Sequence, residues 1–253
     1  MRRGLARSRE HAAGLIAEGR VKVQGVVASK PATAVEAGTP VVVAAAPGEE
    51  WVSRGAHKLL GALDAFALEV TGRRCLDAGA STGGFTDVLL RRGAAHVVAV
   101  DVGYGLLDWK LRTDDRVTVV ERVNARNLEP DQVGEPPSLV VADLSFIPLG
   151  LVLPALVRVA TADADLLPMV KPQFEVGKDK LPAGGVVRDP TARAGAVRGV
   201  AAHAAELGLG VLGVTASPLP GPSGNVEYFL HLRRGAPALQ EDDLLRAVAE
   251  GPQ

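Results

Sequence analysis

Three charged side chains stand at or beside the ends of predicted strands, where side chains are placed to do acid–base chemistry. Asp143 follows Val-Val-Ala, Lys171 follows an apolar run ending in Met-Val, and Glu227 lies in Gly-Asn-Val-Glu-Tyr-Phe. The carboxyl ends of strands line the crevice of open α/β sheets. A lysine directly after a buried strand is expensive to bury alone, so we expect acidic neighbours for Lys171. Taken singly, each residue has a structural ion pair as its alternative interpretation.

A glycine-rich loop within residues 75–86 indicates a binding site for a polar small molecule. It joins a predicted strand to a predicted helix, an arrangement that turns backbone amides and a helix N-terminus toward a ligand. A dinucleotide fingerprint would need glycine at position 81, where the chain has Ser81. Asp77, just before the turn, suits a positively charged amino-acid group and would repel a pyrophosphate. The loop therefore favours the methyl donor S-adenosylmethionine over a nicotinamide dinucleotide.

A second carboxylate, Asp101, is predicted at the end of the next strand, at the spacing where it can accept hydrogen bonds from a ribose diol. A helix cap or a solvated turn is the alternative interpretation of this residue alone. The candidates for cofactor binding are Asp77, Gly79, Ser81, Thr82, Gly83, Gly84, Phe85, Asp101 and Asp143.

Alternating strand-like and helix-like segments predict the sheet that positions these residues. Such alternation is typical of a doubly wound, mostly parallel α/β sheet. The last two predicted strands follow one another without a helix, which indicates a hairpin that adds an antiparallel strand, as is common in methyltransferases of the Rossmann-like class. The strands are predicted at Arg74–Asp77, His96–Asp101, Val117–Glu121, Leu139–Asp143, Leu166–Lys171, Leu209–Ser217 and Val226–Arg233.

The N-terminal segment has a different pattern and predicts a small α+β domain. A helix is expected from Ser8, which can cap it, to Gly19, which can end it. Short strands follow at Val21–Val23, Val26–Val27 and Val41–Ala44, with Gln24-Gly25 as the hairpin turn between the first two.

Charge is distributed unevenly between these two regions. Residues 1–30 hold seven Lys or Arg against two Glu, a net charge of +5, whereas the remainder of the chain carries −6. A basic N-terminal segment followed by an acidic remainder is compatible with a protein that contacts phosphate groups through its N-terminal segment. A basic surface without a ligand is the alternative interpretation.

Composition restricts the class of protein further. The 253 residues are 47% hydrophobic, enough for a full core. The longest uncharged apolar stretch, Ile147–Val157, is far shorter than the roughly 18 residues needed to span a membrane. We predict no membrane segment and no secretory signal, with the cytoplasm as the default compartment. A single cysteine, Cys75, predicts a buried strand position, and we expect no metal site.

Five motifs, in order along the chain, resemble the TlyA family, which also carries the hemolysin A label. They are Ser-Arg-Gly-Ala-His-Lys-Leu, Asp-Ala-Gly-Ala-Ser-Thr-Gly-Gly-Phe-Thr-Asp, Val-Ala-Asp-Leu-Ser-Phe, Val-Lys-Pro-Gln-Phe-Glu and Gly-Pro-Ser-Gly-Asn-Val-Glu-Tyr. The resemblance covers nearly the whole chain. It implies an S4-type RNA-binding domain coupled to an FtsJ-like methyltransferase that modifies the ribose 2′-hydroxyl of a cytidine in 16S or 23S ribosomal RNA, or in both.

The resemblance also implies a division of the chain and a set of functional residues. We expect an S4-like domain at 1–46, shortened at its start, a linker at 47–56, the methyltransferase domain at 57–240 and a C-terminal tail at 241–253. The catalytic tetrad of the family maps onto Lys58, Asp143, Lys171 and Glu227. The expected contacts to phosphate groups of ribosomal RNA are Arg7, Arg9, Arg20, Lys22 and Lys30.

These residue types suit methyl transfer to a hydroxyl, which is a poor nucleophile at neutral pH. We expect Lys171 to be the base, positioned by Glu227 and Asp143, and Lys58 to stabilise the developing negative charge. Phe146 and Phe174 are candidates for stacking on a nucleobase. The competing hypotheses are a membrane-lytic protein and a ribosome-binding or assembly factor with an inactive methyltransferase domain; the sequence leaves the oligomeric state open.

Overall fold

The computed structural model describes residues 5–6, 9–31, 35–36, 38–44, 50–177 and 181–252. The chain divides into two compact units, one up to Glu50 and the other from Trp51 onward. Each unit has its own sheet.

The small unit consists of a helix and a three-stranded antiparallel sheet. Helix α1 (Arg9–Ala17) precedes strands β1 (Val21–Val23), β2 (Val26–Val27) and β3 (Val41–Val43), in the spatial order β2-β1-β3. The turn between β1 and β2 has positive φ at both Gln24 and Gly25, as a tight hairpin of this kind requires. The predicted hairpin turn is confirmed, whereas the predicted cap, Ser8, lies outside the described residues.

The large unit is built on one seven-stranded sheet flanked by helices. Its strands are β4 (Arg74–Ala78), β5 (His96–Asp101), β6 (Val117–Glu121), β7 (Leu139–Ala142), β8 (Asp165–Val170), β9 (Leu209–Ala216) and β10 (Tyr228–Arg234). The helices are α2 (Gly55–Ala65), α3 (Gly84–Arg91), α4 (Trp109–Arg112), α5 (Pro130–Val133), α6 (Leu153–Val159), α7 (Pro172–Glu175), α8 (Pro190–Glu206) and α9 (Glu241–Glu250).

The strand order β6-β5-β4-β7-β8-β10-β9 confirms the predicted fold class. Strands β4 to β8 pair in parallel, and β10 runs antiparallel to both β8 and β9, so the predicted closing hairpin is present. The order reverses between β4 and β7, which is the switch point where α/β sheets bind ligands. Because β10 is antiparallel, its beginning lies at the same edge of the sheet as the carboxyl ends of β4, β7 and β8.

Two hydrophobic clusters cover the two faces of this sheet. Strand β7 shows the alternation, because Leu139 and Val141 belong to the cluster that contains α2 and α3, whereas Val140 and Ala142 belong to the cluster that contains α6, α8 and α9. When a sheet is covered on both faces, its central strands are buried along their whole length, as β7 and β8 are here. Among the described residues, no helix combines the length and the apolar character needed to cross a membrane.

Two stretches differ from the expected division of the chain. Residues 51–56, expected in a linker, belong to the large unit: the Val52 N–H donates to Asp87 Oδ2 at 3.0 Å, and the Arg91 guanidinium lies 4.3 Å from the centre of the Trp51 ring. The hydrogen bond and the cation–π contact attach this segment to α3.

The expected C-terminal tail is the second difference, because Glu241–Glu250 forms helix α9. Leu244, Ala247 and Val248 recur at helical spacing and are buried against the sheet and α8. Burial of this apolar stripe is the physical reason for the order of the segment.

Candidate active site

The glycine loop between β4 and α3 closes tightly against the end of β7. Gly79 has φ +87°, and a Cβ atom built there would overlap the carbonyl oxygen of Asp143, so only glycine permits this approach. Gly83, at φ +101°, is the N-cap of α3, where an added Cβ would meet the side chains of Leu107 and Leu111. The loop thus adopts the backbone conformation that the glycine pattern predicts.

Asp77 is fully buried beneath this loop. Its Oδ2 accepts a hydrogen bond from Thr86 Oγ1 at 2.7 Å, whereas its Oδ1 has no hydrogen-bond partner among the described residues. Burial, together with a smaller contribution from the nearby charge of Asp143, raises the pKa of Asp77 to about 7. A buried carboxylate with an unsatisfied oxygen can be stabilised by a cationic ligand.

Asp101 occupies the end of β5 and is held by backbone amides. Its Oδ2 accepts from Ser81 N and its Oδ1 from Gly103 N, both at 2.7 Å. Each oxygen retains a further lone pair, so the carboxylate can still accept from a diol. Thr82 and Gly84 line a cavity at the loop, as does Phe85, which is also a core residue with its ring centre 6.0 Å from that of Phe229.

Lys58 and Glu227 form a buried ion pair across the sheet edge. Lys58 lies in the first turn of α2 and Glu227 just before β10; their exposed fractions are 8% and 1%. Lys58 Nζ donates to Glu227 Oε2 at 2.5 Å. The sequence analysis expected Glu227 to position Lys171, but the structure pairs it with Lys58, because α2 packs over the sheet beside the start of β10.

Lys171 and Asp143 form the second pair. Both side chains follow directly after neighbouring parallel strands, β8 and β7, which explains their proximity. Lys171 Nζ lies 2.6 Å from Asp143 Oδ1 and donates a hydrogen bond to Ser145 Oγ at 2.9 Å. The acidic neighbour expected for Lys171 is therefore present.

Three adjoining cavities lie at this edge of the sheet. The loop cavity, of about 330 Å³, lies beside the glycine loop. The diol cavity, of about 580 Å³, lies beside Asp101, and the aromatic cavity, of about 750 Å³, lies beside Phe146 and Phe174. The loop and diol cavities share Gly79, Ser81 and Asp143 as lining residues, so they form neighbouring compartments along one loop.

The two ion pairs stand in the wall between these compartments. Lys58 lines the loop cavity and Glu227 the aromatic cavity. Asp143 lines the loop and diol cavities and Lys171 the aromatic cavity. All four residues singled out in the sequence are thus brought together at one site, as two lysine–carboxylate pairs.

The aromatic cavity has an exposed ring at its rim. Phe146 is 90% exposed, has φ +64° and places its ring centre 5.1 Å from that of Phe174. Exposure of a large apolar side chain in a strained backbone conformation is costly, and such residues concentrate at functional sites. Phe146 is therefore available for stacking, whereas Phe174 is partly buried.

Sequence reasoning missed several lining residues of the site. Ser53 and Arg54 line the loop cavity, and Ser145 lines both the diol and the aromatic cavities. All three lie inside the quoted motifs. Ser53 and Arg54 precede Lys58 in the first motif, and Ser145 follows Asp143 by two positions in the third. Their position within those motifs was the available signal.

The basic candidates of the small unit have different environments. Arg9, Lys22 and Lys30 are exposed. Arg20 donates from Nε to Ala44 O at 2.9 Å and pairs with Glu18, which gives it a structural contact within the unit. Arg7 lies outside the described residues.

Comparison with known proteins gives the class of each unit. The FtsJ-like methyltransferase family model matches residues 51–234, and the S4 domain model matches residues 2–41. The large unit is an FtsJ-like methyltransferase domain, in agreement with its strand order and glycine loop.

Relatives that match this chain over nearly their whole length identify its family. A Mycobacterium tuberculosis protein named 16S/23S rRNA (cytidine-2′-O)-methyltransferase TlyA is 62% identical over 258 residues, covering 100% of this chain and 96% of the relative. A Brachyspira hyodysenteriae protein named hemolysin A is 35% identical, covering 90% and 95%. A solved Streptococcus thermophilus structure that carries the hemolysin name has a TM-score of 0.77 at 38% identity, covering 98% and 92%. The chain belongs to the TlyA family.

Proposed function

We propose that the protein transfers a methyl group from S-adenosylmethionine to the ribose 2′-hydroxyl of a cytidine in 16S or 23S ribosomal RNA, or in both, in the cytoplasm. The observation that carries the proposal is the presence of two lysine–carboxylate contacts, one buried and one partly buried, in the wall between the glycine-loop compartments and the aromatic cavity. The function named for the Mycobacterium tuberculosis relative agrees with this chemistry.

The residues present fit S-adenosylmethionine. Asp77 lies beneath the glycine loop and lines none of the three cavities, but the negative charge of its unsatisfied Oδ1 there suits a cationic ligand nearby. Asp101 keeps lone pairs for a ribose diol. The neighbouring loop and diol cavities share a glycine-lined wall, which suits a molecule with an amino acid at one end and a nucleoside at the other. When bound, this cofactor supplies an electrophilic methyl group on a positively charged sulfur.

The two lysines have different tasks in the proposed mechanism. Lys171, as the neutral amine, takes the proton of the ribose hydroxyl, while the charge of Asp143 holds its Nζ at the wall of the aromatic cavity. Lys58, held in place by its ion pair with Glu227, stabilises the oxygen as it gains negative charge. Holding these groups on rigid strand ends lowers the entropic cost of aligning the hydroxyl.

The aromatic cavity is the proposed binding site for the target nucleotide. Its lining is mainly apolar and includes Phe146, Phe174 and Leu181, beside Lys171 and Glu227. A base turned out of the RNA can stack on the exposed ring of Phe146, a contact worth about 1–3 kcal/mol. The basic residues of the small unit would contact phosphate groups and contribute affinity without reading sequence.

Transfer of tritium from labelled S-adenosylmethionine to isolated 30S and 50S subunits tests the proposal. We expect label in at least one subunit, recovered after nuclease digestion as 2′-O-methylcytidine. A wild-type protein that labels neither subunit, or that yields only base-methylated nucleosides, would contradict the proposed function. Leakage of dye from vesicles, measured in parallel, tests the membrane-lytic alternative.

Cofactor binding should depend on pH through Asp77. Because the raised pKa, about 7, leaves this carboxyl largely protonated in mild acid, binding of a cationic ligand must release its proton. We expect affinity to rise by up to about tenfold per pH unit below pH 7 and to level off above it. Titration calorimetry from pH 5.5 to 8.5 measures this. In Asp77→Asn the affinity should be lower at pH 8, and this rise should be absent; an equal slope in both proteins would contradict the assignment.

Gly221 should be required for the position of Glu227. A Cβ at Gly221 would lie 2.6 Å from Glu227 Oε1, the mobile end of a side chain, so Gly221→Ala should displace the carboxylate while leaving the fold intact. We expect methyl transfer to fall by about 10²-fold, as for a misplaced active-site group. The control is Gly199→Ala in α8, where an added Cβ meets no atom within 4 Å. Equal activity of the two variants would refute the prediction.

A further inference from the structure

We propose that Ser145 is a positioning residue of this active site, which orients the amine of Lys171 toward the substrate hydroxyl. Ser145 lies two residues beyond Asp143, in the loop that follows β7. The inference rests on the proposed function, because it concerns the same lysine and the same hydroxyl.

The contacts of Lys171 give Ser145 a role that Asp143 does not fill. Asp143 Oδ1 is the nearer atom, at 2.6 Å from Nζ, but it makes no aligned hydrogen bond. Ser145 Oγ, at 2.9 Å, accepts a hydrogen bond from Nζ with proper geometry. The negative charge of Asp143 therefore attracts the N–H dipoles of the amine, and Ser145 fixes the direction of one N–H bond, since hydrogen bonds weaken steeply when misaligned.

The direction matters because a neutral amine has two N–H bonds and one lone pair. A lysine amine rotates freely at the end of a flexible stem, so its lone pair has no preferred direction without partners. When Ser145 accepts one N–H and the charge of Asp143 draws the second, the lone pair points away from both. Lys171 and Ser145 both line the aromatic cavity, which is where the substrate hydroxyl would meet that lone pair.

The proton balance of the step is complete with these groups. The O–H bond of the ribose would break and its proton would go to the lone pair of Lys171 Nζ, while the oxygen forms its bond to the methyl group. The methyl–sulfur bond would break with its electron pair remaining on sulfur, so that the neutral thioether S-adenosylhomocysteine is the leaving group. The ammonium then has three N–H bonds, one of which Ser145 Oγ still accepts, before the proton leaves to solvent. Ser145 itself neither gains nor loses a proton.

Replacement of Ser145 should affect catalysis without affecting the fold. The side chain is exposed and belongs to neither hydrophobic cluster, so its loss removes no core packing. Ser145 also lines the diol cavity, but it is not among the hydrogen-bond partners of Asp101, which are Ser81 and Gly103. A change in turnover can therefore be separated from changes in folding and in cofactor binding.

The test compares Ser145→Ala and Ser145→Thr with the wild-type protein in tritium transfer to the ribosomal subunit that the wild type labels. We expect Ser145→Ala to lower kcat by about 10- to 100-fold. The KM for subunits and the calorimetric Kd for S-adenosylmethionine should change less than about twofold. The reason is that the proposed hydrogen bond acts on the reacting amine and does not hold either ligand in the ground state. Ser145→Thr keeps the hydroxyl and should recover most of the turnover.

Four results would overturn the inference. Wild-type kcat in Ser145→Ala would show that the hydrogen bond has no role in turnover, and failure of Ser145→Thr to recover activity would show that the hydroxyl is not the required group. A parallel loss of cofactor affinity in Ser145→Ala would indicate a binding role instead. Failure of the wild type itself to label RNA would overturn the proposed function, and this inference with it.

Discussion

We expect Lys171→Ala to bind S-adenosylmethionine with wild-type affinity and to transfer methyl groups at least about 10³-fold more slowly. The variant removes the group that takes the proton, whereas Asp77, Asp101 and the glycine loop, which would hold the cofactor, are untouched. Single-turnover transfer of tritium to ribosomal subunits measures the rate, and calorimetry measures the affinity.

The matched control is Lys110→Ala. Lys110 is a half-exposed lysine in α4 whose Nζ lies 3.5 Å from Asp87 Oδ2, and it lines none of the three cavities. It should retain activity within about threefold, since Asp87 keeps its ion pair with Arg91 when Lys110 is replaced. If Lys171→Ala and the control label RNA at the same rate, Lys171 is not the base.

Glu227→Leu should be the most destabilising single change at the site. It leaves the Lys58 ammonium buried and unpaired, and breaking a buried pair from one side costs about 3–5 kcal/mol. The double variant Lys58→Met/Glu227→Leu removes both charges and should recover most of that loss in free energy of unfolding. Both variants should be inactive in methyl transfer, because the stabilising cation has lost its partner or is absent. Urea unfolding followed by circular dichroism gives the free energies.

An exposed ion pair provides the comparison for these unfolding measurements. Arg198 and Glu241 pair on the surface, each about half-exposed, so Glu241→Leu should leave the urea midpoint close to that of the wild type. Equal urea midpoints for Glu227→Leu and Glu241→Leu would contradict the view of the Lys58 contact as a buried pair. A double variant that remains as unstable as Glu227→Leu would show that packing, and not the unpaired charge, causes the loss.

The sequence by itself determined the local features of this protein. Alternation of strands and helices set the fold class, since the period of apolar residues follows directly from strand and helix geometry. Gly79 and Gly83 predicted the turn between β4 and α3, because positive φ restricts residue type locally. The order of five motifs indicated which four charged residues belong to one site. The roles assigned to those four residues stay predictions.

The tertiary structure alone decided how those residues are paired. Lys58 and Glu227 are 169 positions apart, and their contact depends on how α2 packs beside the start of β10. The sequence analysis assigned Glu227 to Lys171 because nothing local distinguishes the two lysines as partners. Ser145 was missed for the same reason: its contact with Lys171 depends on the relative position of two strand ends. Side-chain pairing between distant segments is set by packing and strand order, which local residue patterns do not encode.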